Sequence, residues 1–103
     1  RLKLHIAAVF ACNFTNHMFA ISSMILEESG MDFSALKHLV TETTNKAMEN
    51  PPANVQTGPA IRRDEELIGR HTELLKHHPK FSEIYKLLSE TIQTMDEIVH
   101  GKQ

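Results

Sequence analysis

The chain has 103 residues, 41% of them hydrophobic and 23% charged, with a formal net charge of −2; this balance suits one soluble domain and carries no basic footprint for nucleic acid. Its single cysteine, Cys12, excludes an intrachain disulfide and a cysteine-rich zinc site, and fits a reducing, cytoplasmic setting. Four glycines, four prolines and no tryptophan leave long uninterrupted stretches and favour helices over sheets.

The first predicted helix runs from about Leu2 to Ser29. Gly30 is a natural residue to follow it, because glycine enters the left-handed conformation without a Cβ penalty. The opening Arg1-Leu2-Lys3-Leu4-His5-Ile6 is already in helical pattern with no capping residue in front, as expected of a domain from a longer protein or of a frayed terminus. His5, Asn13, Asn16 and His17 interrupt the apolar run, so no membrane span is expected. About 28 residues at 1.5 Å each cover about 42 Å, more than the roughly 34 Å diameter of a domain this size. Ala7, Phe10, Phe14, Met18, Ile21 and Ile25 make one apolar stripe. Ala8, Cys12, Phe19 and Leu26 make a second, roughly opposite. A helix apolar on two sides is central in its structure, with one side for the chain's own helices and the other for a second subunit. A polar strip of His5, Asn13, Asn16, Ser23 and Glu27 lies between, and His17 borders the first stripe.

The second predicted helix starts at Asp32 or Ser34, both good N-caps, and ends near Met48, before Asn50-Pro51-Pro52. Its apolar positions are Phe33, Leu36, Leu39, Val40 and Ala47. The uncharged segment from Pro51 to Ile61 reads as a structured connection, since proline restricts the chain. The third helix starts near Asp64, with Glu65 and Glu66 favourably placed in its first turn. Leu67, His71, Leu74 and Leu75 form its expected inner face, and it ends at His77-His78 before the stop signal of Pro79. The fourth runs from Lys80 or Phe81 to about His100, followed by Gly101. Its stripe is Phe81, Ile84, Tyr85, Leu88, Ile92, Met95 and Val99. The expected fold class is all-α, with about four helices and a long central first helix.

Two features can carry chemistry. Asn13, Asn16 and His17 sit inside the most apolar helix, spaced i, i+3 and i, i+4, so they are surface neighbours. Asparagine offers donor and acceptor, and histidine can donate a proton near neutral pH. They face a ligand cleft, or they make the interhelical and subunit hydrogen bonds that buried polar groups must find. Gln56-Thr57-Gly58-Pro59, followed by Arg62-Arg63-Asp64, is the second feature. A glycine-containing loop feeding a helix N-terminus presents backbone N–H groups to an anion, and Arg62 or Arg63 can clamp a carboxylate or phosphate. The alternative is a tight turn with a capping aspartate and two solvated arginines. The scattered histidines lack paired-ligand spacing, so no metal site is expected. Cys12 reads as an inert packed thiol. No G-x-G-x-x-G, phosphate-binding loop or nucleophile elbow occurs.

The stretch His5-Ile6-Ala7-Ala8-Val9-Phe10-Ala11-Cys12-Asn13-Phe14-Thr15-Asn16-His17-Met18 is similar to a known family, as are Gln56-Thr57-Gly58-Pro59-Ala60-Ile61-Arg62-Arg63-Asp64, His71 and Ile84-Tyr85 to Ser89. Together they resemble the C-terminal domain called domain of unknown function 2520, which follows an N-terminal Rossmann domain in bacterial proteins. The resemblance covers nearly the whole chain. It implies a fold like the C-terminal domains of 6-phosphogluconate dehydrogenase and pyrroline-5-carboxylate reductase, with the long first helix central to an intertwined homodimer. Residues 1–103 would then be the dimerisation and substrate-site domain of an NAD(P)-dependent oxidoreductase acting on a small molecule. NADP or NAD would be bound mainly by a Rossmann domain outside this chain. The resemblance also implies that Asn13, Asn16 and His17 act at the reacting centre, and that Thr57, Gly58 and Arg62 hold an anionic group of the substrate. One departure matters. β-Hydroxyacid dehydrogenases of that superfamily carry a lysine about one turn before an asparagine, whereas Val9 and Cys12 stand four residues before Asn13 and Asn16 here. His17 or His5 would have to supply the proton, or the acceptor is an imine that needs little help. The other reading is a non-catalytic helical dimerisation module attached to a nucleotide-binding domain.

Overall fold

The computed structural model describes residues 1–101, and the described residues form helices and turns without a strand. They fall into two compact units, Arg1–Glu42 and Thr43–Gln103.

In the first unit, α1 spans Leu2–Glu28. It is one rod in three stretches: α-helical Leu2–Ala8, a π-helical turn Val9–Phe14, and α-helical Thr15–Glu28. The sequence pattern predicts an unbroken α-helix; the π turn, with i→i+5 bonding, is the difference. The helix closes in a Schellman motif. Gly30 N–H donates to Glu27 O at 3.0 Å and Met31 N–H to Leu26 O at 2.9 Å, with Gly30 at φ 74° as the left-handed residue. Asp32 then caps a 3-10 turn, Phe33–Leu36, by accepting from Ser34 N–H at 3.2 Å. That turn leads into α2, Lys37–Glu49, and the unit boundary falls within α2. The Phe19 and Phe33 rings meet at 5.7 Å, so one apolar residue of α1 has a partner in its own unit. No residue of 1–42 is buried. Phe10 is 64% exposed, and Leu2, Leu4, Ile6, Phe14 and Ile25 are exposed too. By length and composition alone α1 could cross a membrane.

In the second unit a 3-10 turn, Pro52–Asn54, precedes the loop to α3, Glu65–Leu74. Asp64 caps α3, accepting from Leu67 N–H at 3.2 Å, with Glu65 and Glu66 in the first turn. Helix α3 ends at Leu74, three residues short of the expected His77. Pro79 turns out to be the first residue of α4, Pro79–His100, rather than a stop for α3. Proline suits that position because the missing N–H would be unpaired there anyway. Helices α3 and α4 pack together, with Ser82 Oγ donating to Thr72 O at 3.4 Å. Gln93 Nε2 donates to Ala60 O at 3.1 Å, tying the loop to α4. Ala60 and Ser82 are the buried residues among those described. Leu74 lies outside the expected inner face, at 79% exposed, and Leu88, Met95 and Val99 of the α4 stripe are exposed as well.

Candidate functional site

The two groups of expected site residues lie one in each unit. Asn13 is in the π turn, Asn16 and His17 are in the following α-helix, and all three are exposed. An α-helix turns about 100° per residue, and a π turn with its wider ring roughly 85°. Counting through the observed stretches, His5, Asn13 and His17 fall on one file, within about 45° of each other. Asn16 lies roughly 70–100° round from that pair. The π turn also straightens the apolar side. Ile6, Phe10, Phe14, Ile21 and Ile25 fall within about 50° of one line, with Met18 beside them, where a pure α-helix would spread them over about 120°. Ile6 thus takes the place expected for Ala7. The edge-on contact of the Phe10 and Phe14 rings, 5.2 Å between centroids, fits residues stacked one above the other.

In the second unit, Thr57, Gly58 and Arg62 share the loop before α3. Gln56 Nε2 donates to Thr57 O at 3.0 Å. Gly58 takes φ 107° and Arg63 φ 55°, a conformation uncommon for a residue with a Cβ. Arg63 N–H donates to Ala60 O at 3.0 Å and Asp64 N–H to Pro59 O at 2.9 Å. The turn sends the two arginines different ways. Arg63 reaches α4, 3.7 Å from Asp96 and 3.6 Å from Glu97. Arg62 is exposed and has no ion pair among the described residues. The N-terminus of α3 is already satisfied by the Asp64 carboxylate, and two glutamates follow it. An anion at this loop would therefore look to Arg62 and the Thr57-Gly58 backbone rather than to the helix end.

Other features escape sequence reading. The Tyr85 hydroxyl and His71 Nδ1 hydrogen-bond at 2.7 Å across α3 and α4, with the rings edge to face. Burial pushes the Tyr85 phenol above its ordinary value of 10.0. His71 was expected on the inner face of α3, but its partner depends on how the two helices pair. His100 sits between Asp96, at 3.0 Å, and Asn54, at 2.6 Å. A groove of about 280 Å³ runs between α3 and α4 over Gly69, lined among others by Glu65, Thr72, Lys86, Ser89 and Glu90. It contains none of the expected site residues. Among the described residues no three of His, Cys, Asp and Glu converge as a metal site would require. Nor does any glycine-rich strand-to-helix turn occur there to cradle a dinucleotide.

These observations define a wholly helical domain with a long exposed helix and no nucleotide cradle among the described residues. The chain matches the family described as Domain of unknown function (DUF2520) over residues 1–92, and belongs to it. It is also similar to a solved crystal structure, that of the putative NADP oxidoreductase BF3122 from Bacteroides fragilis, at 46% identity and a TM-score of 0.85. The match covers 87% of this chain and 35% of that one, so the chain spans about a third of its solved relative. No curated protein matches it. The expected family and the all-α fold are both borne out.

Proposed function

We propose that this chain is the dimerisation and substrate-site domain of a cytoplasmic NAD(P)-dependent oxidoreductase that acts as a homodimer on a small molecule. The observation that carries this reading is the 46% identity, over 87% of the chain, to a protein named for NADP oxidoreduction. Two features of the chain support it. The first is the polar file on α1: π turns are rare and frequent at functional sites, and this one sets Asn13 in line with His17. Asn13 and Asn16 would orient the acceptor, and His17 would place a proton donor beside it. The second is the loop: Arg62, with no ion pair of its own among the described residues, and the Thr57-Gly58 backbone would hold an anionic group. The residues described here do not fit a dinucleotide. NADP or NAD would therefore be held by a Rossmann domain outside this chain, and no hydride step is assigned to these helices.

The test uses the full-length protein with NADPH and a panel of carbonyl and imine compounds. His17→Ala should lower turnover about a hundredfold or more, the lower end of what a positioned acid–base group supplies, and Asn16→Ala should lower it as well, with NADPH affinity unchanged in both. Undiminished turnover in both variants would overturn the assignment. NADPH binding with no turnover of any compound would favour the non-catalytic dimerisation module instead.

A further inference from the structure

We propose that the groove between α3 and α4 is a binding site for a small zwitterion, a molecule whose amine and carboxylate are separated by one or two carbons. The groove lies wholly within the second unit and contains none of the residues assigned to substrate above. It therefore does not rest on the enzymatic reading.

The register of the two helices follows from their contacts. Thr72 meets Ser82, His71 meets Tyr85, and Ala60, ahead of α3, meets Gln93, so α3 and α4 run antiparallel. Carried along both helices at 1.5 Å per residue, that register sets Glu65 level with Glu90 and Gly69 level with Lys86. All four line the groove. A carboxylate thus stands on each wall at one level, and an ammonium stands on the α4 wall about 6 Å further along. The floor there is open, since a Cβ built on Gly69 meets nothing within 4 Å, and Ile68 gives it an apolar side.

The polar groups of the groove are uncommitted. Glu65, Lys86 and Glu90 are exposed, and none has an ion pair among the described residues. Lys86 and Glu90 stand four apart on one helix, but lysine ahead of glutamate is the less favourable order for such a pair. Ser89 is half-buried, and its hydroxyl has no partner among the described residues. Gln93 gives its Nε2 to Ala60 O at 3.1 Å, which leaves Oε1 to accept.

These charges select the ligand. An amine set between Glu65 and Glu90 donates to both carboxylates, and a ligand carboxylate one helical turn away meets Lys86. A diamine would bring its second ammonium against Lys86, and a dicarboxylate its second anion against the glutamates. A divalent cation takes more oxygen ligands than two glutamates supply, and no three of His, Cys, Asp and Glu converge among the described residues. At about 280 Å³ the groove suits a molecule smaller than a drug-sized ligand.

The experiment follows amide shifts of the intact, isotope-labelled protein by NMR, at low salt because exposed charges are screened. The probe is β-alanine, with n-propylamine, propionate, putrescine and magnesium chloride for comparison. β-Alanine should shift the Gly69 and Ser89 amides saturably. It should bind about threefold or more tighter than n-propylamine or propionate, the scale of one exposed ion pair. Lys86→Glu reverses the charge that meets the carboxylate and should weaken β-alanine binding about tenfold, two steps of that size. Lys80→Glu, the same change outside the groove, should leave it unaltered. Gly69→Leu fills the floor and should abolish the shift at Ser89. Far-UV circular dichroism checks that each variant stays helical, and the comparison of ligands on the parent protein needs no variant. Absence of a saturable shift with β-alanine would overturn the proposal. So would n-propylamine, putrescine or magnesium matching β-alanine at these amides, or equal affinities of Lys86→Glu and Lys80→Glu.

Discussion

Replacing Phe10 with alanine gives the most direct measure of what α1 lacks within one chain. The side chain is 64% exposed, and an aromatic residue presents about 200 Å². About 130 Å² therefore awaits cover, of which the alanine would retain a small part. Loss of about 100 Å² at about 25 cal/mol per Å² removes about 2.5 kcal/mol per copy. A symmetric dimer loses it twice, about 5 kcal/mol, or a rise in Kd of roughly three to four orders of magnitude. Within its own chain Phe10 makes one described ring contact, edge-on to Phe14 at 5.2 Å, worth about 1 kcal/mol. The substitution should therefore dissociate the proposed dimer while barely changing the monomer's helix content. Sedimentation equilibrium over a wide concentration range reads the first effect and circular dichroism the second. A Kd within tenfold of the parent would refute the reasoning, because it would mean that no second surface covers Phe10. Collapse of the helical signal together with association would refute it differently, by showing that Phe10 holds up its own chain.

Two further outcomes concern the second unit. Gly69 lies within α3, and a Cβ built there meets nothing within 4 Å, so Gly69→Ala should stabilise the protein by about 0.5–1 kcal/mol. Its thermal midpoint should rise by roughly 2–6 °C, and a fall would show that something closes on the groove at that point. The raised pKa of Tyr85, caused by burial, makes stability pH-dependent in the alkaline range. The unfolded chain loses the phenolic proton first, so the contribution is whole below pH 10.0 and is lost as pH rises through the folded value. Urea midpoints of the parent should begin to fall as pH rises past 10.0. Tyr85→Phe, which already lacks the bond to His71, should fall less, and equal slopes would remove Tyr85 as the cause.

What the sequence made legible is what depends on single residues and their immediate neighbours. Gly30 ends α1 because its φ is positive, and Asp64 starts α3 because its carboxylate finds the N–H three residues on. Pro79 was legible as a boundary but not as to which helix it belongs. The residue before a proline is pushed out of helical conformation, and His78 at φ −128° and ψ 72° shows it. Helix α3 nonetheless ends at Leu74, although Leu75 to His77 read as helix formers. The His71–Tyr85 bond could not be foreseen, because it depends on how two helices pair. Arg62 and Arg63 are equivalent as letters; the left-handed turn at Arg63 commits one to Asp96 and Glu97 and leaves the other to solvent.

The π turn is the deepest of these cases, since nothing in Val-Phe-Ala-Cys-Asn-Phe marks it: no proline, no glycine, no change of periodicity. Propensity scales rank residues for the helix as against the coil, and are silent about a choice between i→i+4 and i→i+5 bonding. Yet that choice sets the phase of everything beyond it. Counted as pure α-helix, Asn13 and His17 lie about 40° apart and drift toward the apolar face, and His5 lies well away from both. Counted through the observed turn, the three share one file, and the apolar residues draw into one narrow line beside it. The residue types that suggest a substrate contact and a partner contact can be read from the sequence; the rotation that gives each its own face of the same helix cannot. Substitutions on α1 should therefore sort by face. His17→Ala should spare association, and Phe10→Ala should spare the substrate chemistry of whatever dimer remains.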